Sequence, residues 1–286
     1  MGAVILSAAL HAIWNFLLRR AGGNSTVVAL SKVAEGLLLL PLAAAVFLSS
    51  GTLPLREFVP AIVVAAILAL ANYAALTAAY RRADLSLVYP VARGGVFLFL
   101  PLLGFLVFDE RLDATGWLAL ALIVGGIVFL PLRAFTRSSL GEMGRHLRER
   151  FIGYALLAAA ATAAYTVWDK YSVGHLDMVL YFYGYTLLLA IWFSLMLART
   201  SRAEVREQLR KHPVSIVMIG LLNAGAYMLV LIALRNEMAT QVLAVRQLSI
   251  PMGVFLGWRL LHEHLTPPRI VGSALITSGC LLAAAL

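Results

Sequence analysis

The chain has 286 residues, of which 62% are hydrophobic and only 13% charged. A soluble domain holds about 45–50% apolar and about 25% charged residues, so this composition excludes an ordinary soluble fold and indicates many membrane crossings. The formal charge of +9 does not point to nucleic acid, because the basic residues sit in short clusters between apolar runs. That is the pattern of topology signals and headgroup contacts.

An apolar run of about 20 residues crosses the hydrocarbon as a helix. Ten such spans are predicted, near residues 2–18, 27–48, 58–80, 85–108 and 116–132, then 152–173, 178–197, 214–234, 240–261 and 270–286. The first lacks a basic leader and an A-x-A cleavage pattern, so it is expected to remain a span. It also carries His11, Trp14 and Asn15, which a plain anchor does not need. The single cysteine, Cys280, lies in the last run and supports neither an internal disulfide nor a thiolate metal site.

The fourth span carries Pro90 and Arg93 inside its apolar run, and the pattern returns in the ninth. Ala244-Val245-Arg246 echoes Val91-Ala92-Arg93, Pro251 echoes Pro101, and Glu263-His264-Leu265 echoes Glu110-Arg111-Leu112. His11-Ala-Ile-Trp14-Asn15 likewise matches Tyr165-Thr-Val-Trp168-Asp169, Tyr73 matches Tyr227, Arg81 matches Arg235, and Gly125-Gly126 matches Ser278-Gly279. The expected organisation is a first five-helix repeat over 1–137, a linker over 138–150 and a second repeat over 151–286. An odd number of helices per repeat makes the second enter from the opposite side. The fold class is therefore an all-α multi-pass membrane protein, with ten transmembrane helices as two inverted five-helix repeats around a central cavity.

The loops after spans one, three, five and seven hold Arg19, Arg20, Arg81, Arg82, Arg133, Arg137, Arg145, Arg148, Arg150, Arg199, Arg202, Arg206, Arg210 and Lys211. The alternate loops hold little beyond Arg56, Arg111, Lys170 and Arg235. The positive-inside rule places the first set in the cytoplasm and both termini outside.

These features together resemble the EamA-type members of the drug/metabolite transporter superfamily. The resemblance is carried by the repeat, the tight connection over 80–85, the Pro90 span ending in Glu110-Arg111-Leu112, the element from Glu110 to Gly116 and the His11-to-Asn15 opening. It covers nearly the whole chain. The second half departs from the pattern with His262-Glu263-His264. The resemblance implies a secondary transporter in the bacterial inner membrane, exporting amino acids, aromatic ones among them, with drug or nucleobase export as the alternative. It also implies both termini in the cytoplasm, against the arginine distribution. A lipid-modifying intramembrane enzyme is the alternative of another class, with His262-Glu263-His264 as its candidate. No G-x-x-x-x-G-K-[ST] element occurs, so ATP hydrolysis by that route is not expected.

An ionised side chain in the hydrocarbon faces a water-filled cavity or a partner. The expected substrate-binding set is His11, Trp14, Asn15, Tyr73, Tyr80, Tyr89, Arg93, Tyr165, Trp168, Tyr227, Arg246 and Gln247. The arginine fork would take a carboxylate, or the two arginines would form a gate, and the other reading is structural pairing with Glu35 or helix-end carbonyls. Lys32 and Glu35, three apart on one span, form either an internal ion pair or a proton-coupling site. Glu110 and Glu263, at helix ends beside basic residues, are expected as interfacial ion pairs. Pro90, Gly94, Gly95, Pro251 and Gly253 are the expected hinges. The glycines of spans five and ten suit a mutual or dimer interface. No cofactor or metal is expected. The expected partners are a small-molecule substrate and the lipid bilayer, not nucleic acid, for a monomer or homodimer.

The arginine distribution generates a direct prediction. Alkaline phosphatase fused to Leu286 is active and a fluorescent protein fused there is dark. The reverse pair of results puts the termini in the cytoplasm.

Overall fold

The computed structural model describes residues 1–50, 53–83, 85–132, 134–136 and 149–286. Most of the predicted linker (138–148) lies outside the described residues, as do Asp84, Arg133, Arg137, Arg145 and Arg148. The chain is all-helical among the described residues. Its elements are α1 (Gly2–Arg20), α2 (Ser25–Ser50), α3 (Leu55–Tyr80), α4 (Leu85–Gly94), α5 (Val96–Phe108), α6 (Ala114–Phe129) and α7 (Arg150–His175). Then come α8 (Met178–Ala198), α9 (Arg202–Lys211), α10 (Pro213–Leu234), α11 (Ala239–Arg246), α12 (Ser249–Leu261) and α13 (Pro267–Ala284).

Nine of the described apolar stretches are long enough to cross a bilayer, two of them formed by α4 with α5 and by α11 with α12. The sixteen-residue α6 is apolar but shorter, about 24 Å at about 1.5 Å per residue. Helix starts follow local chemistry. Asp113 accepts from the Gly116 amide at 2.7 Å and Asp177 from the Leu180 amide at 3.0 Å, each capping a first turn. Pro213 and the Pro267-Pro268 pair open α10 and α13, where a missing N–H costs nothing.

The fourth and ninth predicted spans are each broken, at equivalent places. Gly95 (φ −60°, ψ −23°) and Leu248 (φ −52°, ψ −24°) have 3₁₀-like torsions, and 153 residues separate them. The Leu98 amide reaches back three residues to the Gly95 carbonyl at 3.0 Å. Around the second break, Gln247, Leu248 and Ile250 donate to Ala244, Val245 and Gln247 at 3.0, 3.1 and 2.9 Å. Pro251 accounts for this one, since its ring crowds the carbonyl four residues earlier, that of Gln247. At the first break the cause is glycine. A Cβ on Gly95 would lie 2.5 Å from the Val91 carbonyl and 3.1 Å from Ala159 Cβ.

The same shift of 153 relates the far ends. Asp109 (φ 54°) and His262 (φ 56°) are left-handed C-caps of α5 and α12. Behind them, the amides of Glu110 and Glu263 each donate to Gly104 and Gly257 at 3.2 Å, a Schellman-type ending. The prolines do not share this register: Pro251 falls opposite Leu98, and Pro101 opposite Val254. Their similarity in sequence is one of chemistry rather than position.

The described residues form two compact units. Unit 1 is Met1, Leu68–Lys170 and Asn236–Leu286; unit 2 is Gly2–Ile67 and Tyr171–Arg235. In unit 1, α6 and α13 cross backbone to backbone. A Cβ on Gly126 would lie 2.5 Å from the Gly272 carbonyl, and one on Gly279 would lie 2.6 Å from the Ala119 carbonyl. Adding 153 to Gly126 gives Gly279, and subtracting it from Gly272 gives Ala119, so the two contacts exchange under the repeat shift. The pair runs antiparallel, so the local two-fold lies across the helices. These glycines serve a mutual contact. Cys280 is fully buried beside them, its thiol donating to the Ala244 carbonyl at 3.1 Å.

Unit 2 has its own pair. A Cβ on Gly36 of α2 would lie 3.2 Å from Ala190 Cβ of α8, and 154 residues separate these two. The Ser7 hydroxyl donates to the Ala226 carbonyl at 2.6 Å, joining α1 to α10. Its counterpart in unit 1 is Asn72, which donates to Ala158 and Thr162 at 2.8 Å and joins α3 to α7.

Gly126→Ala therefore costs about 1–3 kcal/mol by forcing a close-packed crossing apart. Gly125→Ala, with nothing within 4 Å of its Cβ, stays within about 0.5 kcal/mol of wild type. Unfolding of both variants in detergent micelles measures the difference.

Candidate functional site

In unit 1 the two helix breaks each follow an arginine. Arg93 ends the first half-helix and Arg246 the second, where the partial negative charge of a helix C-terminus favours a cation. Arg93 is half-buried, with its guanidinium 5.7 Å from the Tyr89 ring centre. It hydrogen-bonds Tyr89, and the phenols of Tyr165 and Tyr80 lie within its electrostatic reach. These four residues come from α3, α4 and α7 and form a cationic centre ringed by phenols. Apolar neighbours brace it, because Ala79, Val88, Ala92, Phe151 and Ala155 pack into one cluster joining the same three helices.

Arg246 and Gln247 are buried, 7% and 3% exposed. The Gln247 amide turns back onto its own helix, donating to Leu243 at 3.2 Å. Tyr73, Tyr165 and Trp168 are half-buried on α3 and α7. Asp169, which was not among the expected binding residues, is only 2% exposed. Its alignment with Asn15 was the available signal.

Unit 2 holds the remaining candidates. His11 is buried, and its Nδ1 accepts from the Trp14 indole at 3.2 Å in an edge-on contact. That bond places the proton of the neutral imidazole on Nε2. The Asn15 amide donates to the His11 carbonyl at 2.7 Å. Trp14 packs on an apolar cluster of Ala21, Val27, Leu30, Ile216 and Ile219. Tyr227 stacks on Phe182 at 5.7 Å and meets Tyr185 edge-on at 6.4 Å. Tyr185 in turn contacts Tyr181 and Phe182, each at 5.4 Å. Tyr181 and Tyr185 are the buried centre of this aromatic cluster.

Lys32 and Glu35 are an ion pair at 2.9 Å, with Glu35 only 1% exposed. The Asn223 amide donates to the same oxygen, Oε2, at 2.9 Å. Gly220 makes this approach possible: a Cβ there would lie 2.8 Å from the Ser31 carbonyl and 3.1 Å from the Glu35 nitrogen.

A node that sequence described only as an interfacial pair also organises unit 1. The Glu110 carboxylate accepts from Lys170 Nζ at 2.5 Å and from the Ala239 amide at 2.9 and 3.0 Å. It thus caps the N-terminus of half-helix α11, and Lys170 continues to the Glu237 carbonyl at 2.7 Å. The His262-Glu263-His264 stretch is taken up by a helix end. His262 is the left-handed cap, and Glu263 lies against Gly257 with Arg269 at 3.8 Å. Among the described residues no cluster of three His, Cys, Asp or Glu could hold a metal. An open groove of about 440 Å³ in unit 1, lined by Leu98, Leu102, Phe105, Arg111 and Trp117 among others, contains no proposed site residue. Its exposed apolar lining suits lipid.

Comparison with known proteins agrees with this architecture. Residues 150–285 match the EamA-like transporter family, so the second half of the chain is an EamA-like domain. The apolar helices are those of a multi-pass membrane protein, and its matched half is similar to transporters of the drug/metabolite type. No curated protein matches the chain. Among solved structures, one described only as "Crystal structure of protein" is 14% identical with a TM-score of 0.75, covering 99% of this chain and 95% of its own. At that identity the likeness is one of fold.

The Lys32–Glu35 geometry predicts a paired response. Lys32→Met leaves a buried carboxylate uncompensated and costs about 3–5 kcal/mol. Lys32→Met/Glu35→Met recovers most of that loss. A double variant as unstable as the sum of the singles excludes the ion pair as the structural role.

Proposed function

We propose that the chain exports amino acids, aromatic ones among them, or related small metabolites across the bacterial inner membrane, as a secondary transporter working by alternating access. The observation that carries this reading is Arg93 at the first helix break, surrounded by Tyr89, Tyr80 and Tyr165. A guanidinium fork takes a carboxylate with two parallel hydrogen bonds. Phenol rings beside it offer faces to an aromatic or cationic group. The repetition of an arginine and a break at Arg246 supports the same reading, since interrupted spans in corresponding positions are where transporters of this design bind.

The binding set proposed in unit 1 is Tyr73, Tyr80, Tyr89, Arg93, Tyr165, Trp168, Arg246 and Gln247. That in unit 2 is His11, Trp14, Asn15 and Tyr227. Pro90, Gly94, Gly95, Pro251 and Gly253 are the proposed bending points, and bending there fits the tight 3₁₀ bonds at both breaks.

The test is flux in proteoliposomes against a panel of amino acids and one cationic drug. Arg93→Lys keeps the charge but loses the fork. It lowers flux of carboxylate-bearing substrates about 10- to 100-fold, the size of a charged hydrogen bond, and spares the drug. Equal loss for both classes, or none for either, sinks carboxylate recognition by Arg93.

A further inference from the structure

Helix α9, Arg202–Lys211, was expected as a basic loop; it is a ten-residue helix with no buried residue. Ser201 caps it, accepting from the Glu204 amide at 3.2 Å. Membrane spans flank it on both sides with only short connections, so it lies at the bilayer surface. Arg202, Arg206 and Arg210 recur every fourth residue and form one exposed stripe. Val205 and Leu209 form the neighbouring stripe. Val205 packs against the apolar cluster of Ala21, Val27, Leu30, Ile216 and Ile219, which anchors the helix to unit 2. Leu209 is 46% exposed.

The two acidic residues of α9 are already engaged. Glu204 accepts from the Thr26 hydroxyl at 2.6 Å, and Glu207 pairs with Lys211. Lys211, with Arg210 beyond it, holds the Glu207 carboxyl below its ordinary value. Arg202 and Arg206 pair with no described carboxylate. Arg199 follows α8 at the same end, and Leu17 and Leu18 pack on the same cluster, bringing Arg19 and Arg20 near it. Strong positive charge beside an exposed apolar residue, on a helix held at the surface, matches an anionic amphiphile.

We propose that α9 is a docking surface for anionic phospholipid, with the Arg202–Arg206–Arg210 stripe on headgroup phosphates and Leu209 among the acyl chains. Guanidinium groups bind phosphate bidentately, and each basic residue near a charged membrane surface adds to the attraction. The surface is independent of what the protein transports.

The full chain in neutral detergent is titrated with phosphatidylglycerol or phosphatidylcholine while its thermal unfolding is followed by tryptophan fluorescence. Phosphatidylglycerol raises the unfolding midpoint, phosphatidylcholine does not, and high salt removes the shift. Arg202→Gln/Arg206→Gln/Arg210→Gln needs about tenfold more phosphatidylglycerol, or more, for the same shift. Arg56→Gln/Arg259→Gln, altered at exposed arginines elsewhere, responds as wild type. A change in baseline stability does not confuse the result, because the readout is the lipid concentration at half-maximal shift. An unaltered triple variant, or an equal response to phosphatidylcholine, overturns the proposal. So does a full shift from glycerol phosphate alone, which makes this a soluble phosphate site, or from an acidic peptide, which makes it a protein-docking face.

Discussion

The hydrocarbon offers no partner to a peptide N–H or C=O, so any interruption of a spanning helix must satisfy its own backbone. The two interruptions here do so by shortening the reach of the bond rather than by abandoning it. Just after Gly95 and around Leu248 amides bond three residues back, and α11, which leads into the second, is buried along its whole length. What this leaves is a pair of half-helix ends inside the protein, each holding an arginine in its last turn. The phenols around Arg93, the cap that Glu110 gives α11 and the close approach of Gly95 to α7 all follow from having to support these ends.

Most of the architecture was legible in the sequence, because length and apolarity are nearly the whole requirement for a membrane helix. Matched motifs in sequence have a counterpart in backbone detail at the same shift of 153 residues: left-handed caps at Asp109 and His262, and exchanged contacts at Gly126 and Gly279. Pro101 and Pro251 misled, since prolines are conspicuous in sequence but need not share a position for both spans to bend. Helix α9 escaped notice because its stability comes from a serine cap and one docked valine. A run of arginines and glutamates carries no apolar period that would announce a helix.

The candidate site was legible only in part. Arg93 stands out because a charge within an apolar run demands a reason, but the phenols near it arrive from α3 and α7, and no local spacing specifies that meeting. His11, Trp14 and Asn15 stand out as polar groups in the first apolar run, yet their polar atoms largely serve one another. Lys32 and Glu35 were recognisable as neighbours on one helix, whereas Asn223 and the glycine that admits it lie far along the chain. In each case the local pattern identified the polar group and tertiary packing decided its company.

The buried Cys280 has a consequence for redox behaviour. A thiol reacts as its thiolate and only where a reagent can reach it. This one is sealed between α13 and the half-helix α11 with its hydrogen committed to the Ala244 carbonyl. Surface oxidants and alkylating agents therefore meet no sulfhydryl on the folded protein, and its state does not vary with the redox poise on either side of the membrane. A cysteine introduced at any exposed position becomes the sole reactive thiol in an otherwise wild-type chain.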